Sequence, residues 1–163
     1  MSDAIDSWQA FWSAAAITSA ILFGLGLITA LLAVGEKPLP RLHVKSLIYE
    51  TLGAYGTVAL IGLLVLMPIL TLKRLGAVVA TISAVLVLNA SWQIVASRSE
   101  GSKLLGFHWT HLAPWICYVM VLWSSVKLMR GGMHSLNWLG IAALLLLMTG
   151  AALNIDMLRR AAD

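Results

Sequence analysis

Three observations on this 163-residue chain predict an all-α, polytopic membrane bundle of five transmembrane helices with short connections. The first is composition. Hydrophobic residues make up 60% and charged residues 11%, where a soluble domain has about 45–50% and about 25%. The second is spacing. Residues 7–35, 51–72, 75–97, 104–126 and 131–155 contain no Asp, Glu, Lys or Arg, in stretches of 22 to 29 residues. A hydrocarbon core ~30 Å thick takes about 20 helical residues, so each stretch holds one crossing and none holds two. The third is the absence of alternation. A run such as Leu144-Leu145-Leu146-Leu147 does not have the two-residue period of a barrel strand, and within lipid a helix satisfies every backbone polar group by itself.

The same composition excludes a disordered chain, a coiled coil and a water-soluble globule. The single cysteine, Cys117, excludes an intramolecular disulfide framework. A net charge of +4, spread along the chain in pairs, lacks the clustered basic face that a nucleic acid requires.

The expected spans are 8–34, 51–72, 75–97, 107–129 and 133–155, forming one transmembrane domain. The first is preceded by Asp3 and Asp6 rather than by basic residues, and its apolar stretch exceeds the 7–15 residues of a signal-peptide core. It is expected to be retained. The link before the second span carries Pro38 and Pro40, and residues 42–49 are expected to form a short interfacial helix with His43 and Lys45 toward water. Pro68 falls inside the second span near its far end. Lys73-Arg74 alone separates the second and third spans, and residues 127–132 join the fourth and fifth; such short links make antiparallel neighbours. Pro114 leaves two readings of the fourth span: the first turn of a helix starting near Ala113, or a kink within a longer one.

Lipid supplies no hydrophobic drive between helices, so small residues should mark close approach. Ala16, Ala20 and Gly24 form such a ridge in the first span, Gly53, Gly56 and Gly62 in the second, Ala80 and Ala84 in the third, and Gly140, Gly150 and Ala151 in the fifth. These stripes equally permit a homo-oligomer.

Five spans place the termini on opposite faces. The N-terminal face receives Lys73, Arg74, Lys127 and Arg130; the C-terminal face receives Lys37, Arg41, Lys45, Arg98, Lys103, Arg159 and Arg160. By the positive-inside rule the C-terminus is cytoplasmic and the N-terminus outside, in a plasma membrane of the bacterial inner-membrane kind. Trp8, Trp12, Trp123 and Trp138 fall near the N-terminal face, Trp92 and Trp109 near the other, and Trp115 deeper, as interfacial anchors would.

Polar residues crowd toward the C-terminal face. Tyr49, Glu50 and Tyr55 enter the second span there, Asn89 and Gln93 approach it on the third, His108 and His111 leave it on the fourth, and Asn154 reaches it on the fifth. These eight define a vestibule for a small molecule on the cytoplasmic side. The competing reading is that they glue helices through hydrogen bonds. His43, His108 and His111 could hold a divalent metal, although no HExxH pattern supports that, or serve as axial ligands of a haem. Three functions follow: binding or transport of a small molecule through the vestibule, an accessory or anchor subunit of a larger membrane complex with haem or quinone, and a His-dependent metalloenzyme. The sequence offers no catalytic serine–histidine–acid set. It also places no ionisable residue at mid-span, where ion pumps put them. The expected partners are membrane lipids and either further copies or other subunits, with no nucleic acid.

Overall fold

A computed structural model describes residues 2–36, 41–67, 70–99, 105–132 and 134–162. All five helices are present: α1 (Ser2–Glu36), α2 (Arg41–Leu66), α3 (Leu72–Ser99), α4 (Leu105–Met129) and α5 (His134–Ala162). No strand occurs among the described residues. Each helix is long and apolar enough to cross a membrane, and the chain is a membrane-embedded all-α protein.

The helices group into two compact units. One comprises α1, α2 and α5 from Leu147 onward; the other comprises α3, α4 and α5 up to Leu146.

In the first unit α1 and α2 form an antiparallel pair. A Cβ at Gly62 would lie 2.8 Å from the Ala16 Cβ and 3.1 Å from the Trp12 carbonyl, and one at Gly26 would lie 3.4 Å from Leu52 and 3.7 Å from Thr51 and Tyr55. Between these points Gly56 faces Phe23. Ala30, Leu153 and Met157 make a buried cluster on which Ile48 packs. Gly150 sits against the Tyr55 ring. The second half of α5 therefore runs antiparallel to α2 and parallel to α1.

The contact seam of α1 is not the ridge expected from its small residues. Ala16 is buried, but Ala20 is exposed, and nothing lies within 4 Å of a Cβ at Gly24. The buried positions are Trp12, Ala15, Ala16, Ser19, Gly26, Thr29 and Ala30, with Phe23 half-buried. The line from Trp12 through Ala16, Ser19, Phe23 and Gly26 to Ala30 alternates between steps of four and three, with Ala15 and Thr29 beside it. A strict four-residue step gains about 40° per repeat at ~3.6 residues per turn, so it leaves the interface within two steps, whereas alternating steps stay on it.

In the second unit α3 and α4 are antiparallel. Gly76 meets Ser125 and Met129, and the Trp115 Nε1–H donates to the Ser91 hydroxyl at 2.9 Å. Pro114 lies inside α4 and is buried, which selects the longer helix of the two readings. The end of α4 is a Schellman turn. Gly131 N–H bonds to Leu128 O (3.0 Å), Gly132 N–H to Lys127 O (3.4 Å), and Gly131 takes φ 88°, the left-handed conformation that glycine adopts without a Cβ penalty.

Two expectations about α2 need correction. Residues 42–49 form no separate interfacial helix; they are the opening turns of α2, which is continuous from Arg41. The proline link ends one residue earlier, and nothing in the sequence from Arg41 onward breaks a helix. At the other end α2 stops at Leu66, so Pro68 is not within it. The residue before a proline is biased away from the α-region, and Pro68 itself lies outside the described residues.

Candidate functional site

Most hydroxyls in these helices are satisfied at home. Thr29, Thr57, Thr81, Ser83, Ser91, Ser124 and Ser125 each donate to the carbonyl four residues earlier, and Ser19 to the carbonyl three earlier, at 2.6–3.0 Å. That back-bond is how a Ser or Thr is accommodated in a membrane helix. Against this pattern the first unit contains exceptions. The Thr51 Oγ1, Tyr55 Oη and Asn154 Oδ1 atoms are buried and make no hydrogen bond of good geometry.

These three converge toward the C-terminal end of the unit. Thr51 and Tyr55 are one turn apart on α2 and both 0% exposed. The Tyr55 ring lies between two helices that have glycine where they meet it. Its Cε2 edge faces Gly26 of α1 at 3.7 Å, and its Cε1 edge faces Gly150 of α5 at 2.7 Å, both measured to an ideal Cβ position. Helical side chains lean toward the helix N-terminus, so the phenol reaches back toward the level of Thr51. There it interacts with the Asn154 side chain of α5. Glu50, the residue before Thr51, is likewise buried. An unsatisfied buried polar atom costs about 1–3 kcal/mol. The three atoms therefore carry hydrogen-bonding capacity that the packed first unit leaves without a partner of good geometry. Hydroxyls can donate or accept, but the Asn154 carbonyl oxygen requires a donor.

The eight residues expected to form a vestibule divide between the two units. Glu50, Tyr55 and Asn154 belong to the first unit and gather as just described. Tyr49 is in the same unit but points outward, 69% exposed. Asn89, Gln93, His108 and His111 belong to the second unit. Of these, His111 is buried, Gln93 half-buried and Asn89 exposed. His111 and Gln93 both have interaction partners. The side chains of His108 and His43 lie outside the described residues. Among the described residues no three His, Cys, Asp or Glu side chains form a group that could hold a metal ion.

Sequence reasoning left Thr51 out of the site residues, although it stands among the polar residues that open the second span, and misjudged Trp12. Trp12 is fully buried against α2, with its Nε1 also lacking a hydrogen bond, so it is a core residue and not an interfacial anchor. Trp92, Trp123 and Trp138 are exposed as anchors should be, and Lys127 rests 3.7 Å above the Trp123 ring. The deeper Trp115 is the helix glue between α3 and α4. Thr51 carries no signal in its residue type; only its missing back-bond sets it apart. No protein-family model, no curated protein and no solved structure that was compared with the chain matches it.

Proposed function

We propose that this membrane protein binds a small polar molecule between α1, α2 and the C-terminal half of α5, near the face that carries the C-terminus. The observation that supports this reading is the buried polar cluster of Thr51, Tyr55 and Asn154, in which the phenol and the amide interact but no hydrogen bond of good geometry is made by the Thr51 Oγ1, Tyr55 Oη or Asn154 Oδ1 atoms. A ligand with an N–H or O–H would complete Asn154 Oδ1, which only accepts and makes no hydrogen bond of good geometry within the protein. Glu50 on the adjoining turn favours a ligand without negative charge. The seven-to-four division of basic residues supports the reading that this face is cytoplasmic, in a bacterial inner or comparable plasma membrane, and transport of the ligand is the wider form of the proposal.

The test compares wild type with a Thr51→Val/Tyr55→Phe/Asn154→Leu variant against small amines, amides and polyols, following thermal unfolding in detergent. A binder present at 100 times its Kd stabilises the folded state by about 2.7 kcal/mol. Wild type should respond to at least one compound class and the variant to none. Equal responses of the two proteins would defeat the proposal.

A second reading, an accessory subunit of a larger membrane complex, is favoured by an exposed amide on α3, Asn89. A haem, quinone or divalent metal would belong to that reading. An absorbance spectrum and elemental analysis of protein purified from membranes decide between these cofactors.

A further inference from the structure

The outward face of α3 carries Val78, Thr81, Val85, Leu88, Trp92 and Val95, all exposed. These positions alternate by three and four, the spacing of a two-helix seam. Hydrocarbon suits all but two of the side chains on or beside this face. Thr81 is already satisfied, its hydroxyl donating to Ala77 O at 3.0 Å. Asn89 is not. It sits beside Leu88, exposed, six residues inside the Val95 end of the apolar window Leu72–Val95.

That position is about 9 Å below the end of the window at ~1.5 Å per residue, in a hydrocarbon layer whose half-thickness is ~15 Å. The Asn side chain is short, and its Cβ leans toward the helix N-terminus, which on α3 is the direction away from the nearer headgroups. Lipid tails can neither donate to nor accept from an amide. The amide therefore needs a protein partner at the same depth.

We propose that the partner is Asn89 of a second copy of this chain, the two α3 faces packing about a two-fold axis normal to the membrane. Copies inserted with the same topology carry Asn89 at the same depth. A carboxamide is self-complementary, since its N–H₂ donates to the other's oxygen while its own oxygen accepts. An isologous contact of this kind brings every seam residue opposite itself or a near neighbour. This inference stands apart from the ligand proposal, which concerns the first unit only.

The test uses full-length protein in lipid vesicles, with donor- and acceptor-labelled copies mixed and energy transfer followed as lipid dilutes the protein. Wild type should dimerise. Asn89→Leu should weaken the dimer at least tenfold, and Asn89→Gln should restore most of it. Because Asn89 is exposed, both variants should fold, which tryptophan emission and helical content check. Oxidation of single-cysteine variants in a Cys117→Ala background should join copies at Leu88 and Trp92 but not at the buried Val79. A monomer at every dilution, or a dimer that Asn89→Leu weakens less than twofold, would overturn the proposal. So would a chain that is monomeric when pure and held through Asn89 by a different polypeptide in native membranes.

Discussion

Gly150→Ala is the most direct challenge to the seat of Tyr55. An added Cβ would stand 2.7 Å from Tyr55 Cε1, 3.0 Å from Cζ and 3.2 Å from Cδ1. Carbon atoms pack comfortably at about 3.5–4.0 Å, so the ring or α5 must move by several tenths of an ångström. The ring has little freedom to do so. It is rigid and fully buried, with Gly26 against its other edge. Overpacking of this kind costs about 1–3 kcal/mol. The substitution also brings the higher helix propensity of alanine, roughly 0.8–1 kcal/mol, which would mask part of the loss. Gly24→Ala supplies the control, because that position has the same helical setting with no atom within 4 Å. The difference between the two variants isolates the clash, and it should be about 1–3 kcal/mol by SDS-induced unfolding in mixed micelles. Combining Gly150→Ala with Tyr55→Ala should remove the difference, as interacting neighbours are non-additive. Equal unfolding curves for Gly150→Ala and Gly24→Ala would refute the account of the Tyr55 seat.

Other outcomes follow from the same geometry. Gly76→Ala should exceed Gly150→Ala in cost, since its Cβ would meet backbone atoms, Met129 N and Ser125 O, at 2.9 Å, and backbone yields less readily than a side chain; the same unfolding assay measures it. Ser91→Ala should cost about 0.6–1.7 kcal/mol by removing the acceptor of the Trp115 indole, and a double-mutant cycle with Trp115→Phe should show that the two effects are coupled. Gly131→Ala should cost about 1–2 kcal/mol, because φ 88° is unfavourable for a residue with a Cβ. Without added ligand, Tyr55→Phe should leave stability unchanged or raise it, because the hydroxyl it deletes makes no hydrogen bond of good geometry; a loss above about 1 kcal/mol would mean that its interaction with Asn154 is a full hydrogen bond in the membrane.

The amino-acid order alone determined the number and approximate limits of the helices, because a bilayer demands about 20 uncharged residues per crossing and the charged residues of this chain mark where each crossing ends. It also pointed to the polar character of the C-terminal end, through Glu50, Tyr55 and Asn154. Rotation about each helix axis was beyond it. In a soluble helix the polar face shows which side is out, but here lipid and core are both apolar, so Ala16, Ala20 and Gly24 looked alike although only Ala16 meets α2. For the same reason Asn89 resembled an inward-facing amide and Trp12 an interfacial anchor, and tertiary packing turned the first outward and buried the second. Which hydroxyls close on their own helix and which, like Thr51, are left open depends on atomic positions that no residue pattern encodes, and the proposed site rests on that distinction.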